Sequence, residues 1–304
     1  LLQDVYVNPT IMNSMMPLMI GLMNVSQRID MSWNLEDMFL WAAYEEKAID
    51  MQAELFMTND IVLGNCYTFN HANSSTSFMK RSDGMQGGLR VAAKVNSLEY
   101  FSWMDYEALM VFVHTNEESV FSESPRFNAM PGRETTIILE ENYYTRLGGK
   151  YGRCTKNTDE VASYYYPGAY TTDGCIQSCY QDAVNDSCGC MDPRYPMPVG
   201  ATLCSLTNRA CLDTVVAEGD PSQWASCICP LPCTNLDYSG SYATVPFVAF
   251  PPRCNVLSKA ERSNNTECTD RDVVPDYLIV NVVLARSTYD IMAETPLWTV
   301  SLIL

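Results

Sequence analysis

Histidine is nearly absent from this chain: 304 residues hold two, His71 and His114. Acid–base catalysis at neutral pH leans on histidine, and no G-x-S-x-G, H-E-x-x-H or glycine-rich phosphate loop occurs. An enzyme is not expected. His114 ends an apolar run and reads as structural; His71 reads as exposed. Basic residues are scarce too, 19 Lys and Arg against 36 Asp and Glu, for a net charge of −17. Nucleic-acid binding needs a basic face, so it is excluded. An acidic surface concentrates cations, or simply keeps a secreted chain soluble. Long apolar runs are also missing. The stretch 11–23 is short and holds Asn13 and Pro17, and the chain ends on the apolar run 297–304. Neither reaches the ~20 residues of a membrane-spanning helix, and no signal peptide opens the chain. Both ends read as boundaries inside a longer protein.

Cysteine, by contrast, is abundant. Ten of thirteen lie between Cys154 and Cys233: Cys154, Cys175, Cys179, Cys188, Cys190, Cys204, Cys211, Cys227, Cys229 and Cys233. No tight C-x2-C pair and no nearby histidine support zinc, so disulfides in an oxidising compartment are expected. Cys175 and Cys179 share one helical face. Cys227 and Cys229 share one side of an extended strand. A helical turn rises ~6 Å and two strand residues span ~7 Å, so the two pairs match rung for rung. A chain that doubles back would join Cys179 to Cys227 and Cys175 to Cys229. The same nesting adds Cys154–Cys233 outside, and Cys188–Cys211 and Cys190–Cys204 inside. Ten cysteines admit hundreds of pairings, so spacing leaves the connectivity open. Four N-x-S/T sequons, at Asn24, Asn73, Asn185 and Asn264, agree with a secreted environment.

The run 37–55 is rich in Ala, Glu, Met and Leu and predicts a helix. Residues 64–70 predict a turn into a strand, and 88–96, 108–114, 135–140 and 277–285 predict strands, the last being β-branched and bounded by Pro275. Strands and helices are segregated, which predicts an α+β fold with a central sheet and disulfide-braced helical appendages.

These segments resemble one family. Gly64-Asn-Cys-Tyr-Thr-Phe-Asn70 is similar to the GxCYTFN segment of the degenerin, epithelial sodium channel and acid-sensing channel superfamily. Gly88-Leu-Arg-Val with Leu98-Glu-Tyr100 resembles its GLxV…EY strand pair. Tyr151-Gly-Arg-Cys154, Gly174-Cys-Ile-Gln-Ser-Cys179 and Cys188-Gly-Cys190 resemble the start of its thumb. Tyr195-Pro-Met-Pro198 with Cys204, and Cys227-Ile-Cys-Pro-Leu-Pro-Cys233, resemble its end. The segment 296–304 resembles the approach to the second, pore-lining membrane helix. Three departures stand out: no cysteine pair in 39–57, Tyr151 in place of a Trp, and a long insert, 250–272, with Cys254 and Cys268. They place the chain nearer invertebrate degenerin-like subunits than vertebrate acid sensors.

The resemblance implies one clenched-hand ectodomain over 1–304: a mostly antiparallel palm sheet with a helical finger and a helical thumb. Its parts would be finger helices in 1–62, palm and β-ball strands in 63–150 and the thumb in 151–233. A knuckle-like insert would fill 234–276, and the last palm strand with the membrane approach would fill 277–304. It implies the nested thumb pairing. Cys254 and Cys268 would close the insert, leaving Cys66 unpaired here, with its partner expected upstream of Leu1. It implies the extracellular gating domain of a trimeric, amiloride-sensitive, sodium-selective cation channel of the plasma membrane, with like subunits as partners. Sodium is the permeant ion, with no cofactor and no protein metal site. The candidate sensing carboxylates are Asp105, Glu107, Asp213, Glu218 and Asp220, expected in an acidic finger–thumb cleft with raised pKa values and calcium as a candidate ligand. Composition alone fits equally a non-conducting, disulfide-rich secreted or single-pass receptor or adhesion ectodomain.

Overall fold

The computed structural model describes residues 9–79, 81–82, 84–100, 104, 106–246, 276–286 and 288–296. Helices α1 (Pro9–Ile20), α2 (Val25–Met31) and α3 (Leu35–Met38) come first. Strands β1 (Phe39–Tyr44) and β2 (Lys47–Ala48), helix α4 (Met51–Glu54), and the hairpin of β3 (Leu55–Asp60) with β4 (Gly64–Phe69) follow. Then come β5 (Leu89–Lys94), β6 (Leu109–Val111), β7 (Phe127–Ala129) and the long β8 (Arg133–Thr145). The second half holds β9 (Cys154–Thr155), helices α5 (Thr172–Cys188) and α6 (Arg209–Val216), and β10 (Leu231–Pro232). It closes with β11 (Thr234–Pro246), β12 (Tyr277–Leu284) and β13 (Asp290–Ala293). Among the described residues no helix is long and apolar enough to cross a membrane.

The chain folds as α+β around one sheet, ordered β11-β8-β12-β5-β1-β2, with β13 beside β8. Pairing is antiparallel except where β12 and β13 run parallel to β8. β12 is central because its sequence suits burial on both faces. Its Leu278 and Val280 pack with Ala93, Val95, Ala129, Ile137 and Leu139 into one core. Its one buried amide, Asn281, donates to Glu134 Oε1 (2.6 Å) and Thr136 Oγ1 (3.2 Å), which satisfies its Nδ2. Gly88 leads into β5 at φ +95°, and a Cβ there would lie 2.1 Å from the Val282 carbonyl oxygen. Glycine is what lets β5 lie against β12.

Two sequence expectations are corrected. The helix expected over 37–55 is broken: α3 stops at Met38, β1 and β2 form a hairpin in the sheet, and α4 is a single turn. Helix propensity is worth only tenths of a kcal/mol per residue. Pairing β1 to β5 sets five residue pairs and buries Ala42 to 2% exposure, which outweighs it. The cost appears at the turn, where Glu45 and Glu46 both take positive φ (46° and 66°), the hand of a two-residue hairpin loop. Glu45 offsets it by accepting from the backbone N–H groups of Arg81 and Ser82. The helices of the stretch expected to form the finger therefore occupy 9–38 of the described residues, and β1 and β2 of 39–48 belong to the central sheet. Likewise 234–246, expected in the insert, is β11, paired along all thirteen residues with β8. Its polar, glycine-containing sequence hid a strand at the sheet edge, where one face meets water.

Candidate functional site

The GNCYTFN segment joins finger to palm. Gly64 turns at φ +77° to start β4. Asn65, buried, donates through Nδ2 to the carbonyls of Ile29 (3.1 Å) and Trp33 (3.2 Å), and Tyr67 OH donates to Trp33 O (3.2 Å). Both residues bond carbonyls in and just beyond the last turn of α2, where Ile29 O also accepts from Ser32 N (3.2 Å). Phe69 packs with tilted rings against Tyr44 and Phe78 at 5.5 and 4.7 Å. Asn70 closes the next loop by bonding both the N–H and the C=O of Phe78. Cys66 is the free cysteine of the described residues; burial, with Asp60 adding to it, pushes its thiol up to about 11.

The thumb is built on α5. Thr171 caps its start by accepting from Gly174 N (3.1 Å), and Gly189 ends it in the left-handed conformation. Cys175 and Cys179 then face the extended segment 227–229, whose intervening Ile228 points to solvent. The structure pairs Cys175 with Cys229 and Cys179 with Cys227 at Cα separations of 5.7 and 5.8 Å. Cys188–Cys211 (5.9 Å) ties α5 to α6, Cys190–Cys204 (5.0 Å) lies innermost, and Cys154–Cys233 (4.8 Å) closes the base. The five bridges are nested.

Sequence reading missed a polar knot on α5 in which Gln181 and Asp192 are fully buried. Gln181 Nε2 donates to the carbonyls of Asp192 (2.9 Å), Tyr195 (3.2 Å) and Pro196 (3.2 Å), while its Oε1 accepts from Asp192 N (2.8 Å). The Asp192 carboxylate accepts from Arg194 Nε (3.0 Å) and Tyr180 OH (3.2 Å). Around it pack Val184, Cys190, Tyr195, Cys204, Leu212 and Val215, with Leu18 of finger helix α1 among them at 3% exposure. The thumb core is thus completed by a finger residue.

A tyrosine-rich loop, with four tyrosines at 164–166 and 170, holds the thumb to loop 115–124. Ala169 N donates to Glu117 O (2.7 Å), Ser119 Oγ to Pro167 O (2.7 Å), and Tyr195 OH to Glu123 Oε1 (2.8 Å). Tyr170 OH donates to Pro230 O (2.7 Å), and burial pushes its phenol up to about 12. Burial also raises the Glu118 carboxyl above its ordinary value, with Asp237 of β11 adding to it against Thr115 and His114. The tyrosine cluster was a visible signal for this contact; Glu118 had none.

At the base, Arg146 N donates to Cys233 O (2.7 Å) and Cys233 N to Thr155 O (2.8 Å). Arg146 Nη1 donates to Pro232 O (2.8 Å) and to Asn235 Oδ1. Leu147 N donates to Glu294 Oε2 (2.8 Å), just beyond β13. β8, β11, β13 and the outermost disulfide meet within this one junction.

Each described sensing carboxylate has a local setting of its own. Asp105 lies outside the described residues. Glu107 is half-buried and acts on Tyr100. Asp213 is exposed and pairs with Arg209 along α6 (3.6 Å). Asp220 caps a short turn by accepting from Ser222 N (2.9 Å), and this bond holds its carboxyl below the ordinary range, opposite to the rise expected for a proton sensor. Glu218 is exposed. Among the described residues no three His, Cys, Asp or Glu side chains gather to hold a metal ion. Asn24, Asn73 and Asn185 are exposed; Asn264, Cys254 and Cys268 lie outside the described residues.

Comparison with known proteins adds the remaining findings. A family model described as "Amiloride-sensitive sodium channel" matches residues 13–304. The chain is 26% identical over 274 residues to degenerin mec-10 of Caenorhabditis briggsae, covering 88% of this chain and 37% of that protein. It is 28% identical over 268 residues to the epithelial sodium channel subunit alpha of Homo sapiens, covering 85% of this chain and 39% of that protein. The guinea pig (Cavia porcellus) subunit alpha is 36% identical over 151 residues, 49% of this chain and 22% of that protein. The chain thus spans well under half the length of these relatives.

Proposed function

The chain belongs to the amiloride-sensitive sodium channel family, a family of ion channels rather than enzymes, and on that premise we propose that it is the extracellular gating domain of a trimeric, amiloride-sensitive, sodium-selective cation channel at the plasma membrane. Its partners are like subunits, identical or related, and its anchors are membrane helices outside this sequence. Within it, the thumb acts as a stiff lever. Five nested disulfides oppose local unfolding, so displacement at the tip is carried to the base instead of being absorbed.

The observation that carries this reading is the base itself. Cys154–Cys233 and Arg146 fasten the thumb to β8 and β11, and Leu147 is bonded to Glu294 at the end of β13, three residues before the apolar run 297–304. Movement of the lever would thereby reach Glu294, three residues short of the segment that the family resemblance places at the pore. Voltage clamp of the full-length protein, alone and with related subunits, tests it. An inward current that vanishes when sodium is replaced by a large organic cation and is blocked by amiloride is expected. A well-trafficked protein that passes no current under force, acid or peptide contradicts it.

A further inference from the structure

Four large apolar side chains stand exposed between residues 19 and 31: Met19 at 38%, Leu22 at 62%, Val25 at 54% and Met31 at 67%. Leu18 in the same stretch is 3% exposed within the thumb core, so α1 spends its buried side on the thumb and the turn beyond it faces water. Asn24 sits between Leu22 and Val25, exposed, as the acceptor of the sequon Asn24-Val25-Ser26. Chain geometry keeps its Cα within ~7 Å of that of Leu22 and ~3.8 Å of that of Val25. Its Oδ1 accepts from Gln27 N (2.9 Å) and its backbone N–H donates to Gln27 Oε1 (3.1 Å). These two bonds leave Nδ2, the atom that carries an N-glycan, unused. The other two described sequons lack such neighbours: Asn73 is followed by two serines, and Asn185 by Asp186 and Ser187.

We propose that Asn24 carries an N-linked oligosaccharide that covers the apolar turn of Leu22 and Val25 and bars it from packing on another protein. The inference rests on the extracellular reading above. In the transfer, Nδ2 bonds to the anomeric carbon of an oligosaccharide carried on a lipid diphosphate. The anomeric C–O bond breaks, the lipid diphosphate leaves with the electron pair, and the amide gives up one proton. The glycan then supplies a polar surface where the fold leaves an apolar one.

The test uses the full-length protein purified from cells with a secretory pathway. Enzymatic sugar release in heavy-oxygen water, followed by peptide mapping, reads occupancy as Asn converted to heavy-labelled Asp. The wild type is expected to be labelled at Asn24. Ser26→Ala and Asn24→Asp both lose the sugar yet keep a capping oxygen at position 24, so both are expected to show raised emission of the apolar dye ANS. Ser26→Thr keeps the sequon and is expected to match the wild type in both readings. A bare Asn24, with sugar on Asn73 or Asn185 and the thumb disulfides formed, overturns this inference alone. Unchanged ANS emission in Ser26→Ala, once its sugar is gone, overturns the shielding role. Sugar at no sequon, together with free thiols in the thumb, overturns the extracellular reading beneath it.

Discussion

Gln181 has no exposed surface, and one carboxamide serves three carbonyls and one N–H. Gln181→Leu keeps much of the volume and strands the Tyr195 and Pro196 carbonyls and the Asp192 N–H, while Asp192 O keeps its bond from Tyr195 N (3.3 Å). Each buried unsatisfied group costs about 1–3 kcal/mol, so thermal unfolding should show a loss of at least about 3 kcal/mol, while Asn185→Ala on the exposed face of the same helix stays near wild type. Gly88 makes a second residue-scale case. Gly88→Ala meets both the positive-φ penalty of about 1–2 kcal/mol and a backbone carbonyl that cannot yield without shifting β12 against β5. Gly149→Ala shares a positive φ but meets nothing within 4 Å. The first should abolish surface expression; the second should reduce stability by only about 1 kcal/mol. Glu118 gives a pH dependence. Its folded pKa lies above the ordinary 4.5, so its stabilising contribution is full below that value and fades as pH rises through the raised one. Stability of the wild type relative to Glu118→Gln should therefore fall as pH climbs above the ordinary carboxylate range. A relative stability that is flat or rises across that window contradicts the burial argument. None of these three roles was legible in the sequence. Gln181 is an unremarkable helical glutamine until Asp192 and Tyr195 fold over it, and Glu118 differs from its neighbour Glu117 only in what packs against it.

At the scale of elements, the cysteine spacing anticipated a helix facing an extended segment, because one helical turn and two strand residues have nearly equal rise. The structure has that geometry. It also makes the two central rungs cover for each other. With Cys179–Cys227 closed, Cys175–Cys229 closes only a few further residues on each side. Removing either bridge by paired Cys→Ser changes should cost about 2 kcal/mol, and removing both should cost more than the sum. Thermal melts of the two single deletions and the double deletion decide; strict additivity contradicts the ladder as a cooperative unit. The elements that sequence reading lost were those decided by partners. β1 carries helix-favouring Ala and Glu in and after it, yet β5 and the hairpin turn claim it. β11 has a polar, edge-strand sequence and becomes visible only through thirteen pairs with β8. β12, whose β-branched run is apolar on both faces, was legible in full.

Across the whole molecule, the family was readable because two specific patterns, GNCYTFN and the cysteine ladder, coincide in one chain. What the sequence did not show is how the parts are joined. Leu18 of the finger completes the thumb core, Tyr195 and the tyrosine loop bind the thumb to loop 115–124, and Arg146 gathers the base. These contacts make the thumb continuous with both finger and palm. If the full-length protein is a trimer of like subunits, chemical cross-linking on intact cells should stop at three copies; a ladder that stops at one or two contradicts that assembly.

The central claim is that thumb movement governs the pore through the base. Its most direct test is single-channel recording of the full-length protein with Cys154→Ser and Cys233→Ser made together, beside the wild type. Opening the covalent base should change open probability and leave ion selectivity and blocker sensitivity as in the wild type. Channels that reach the surface with unaltered open probability would contradict the account, because the lever would then be moving without its fulcrum.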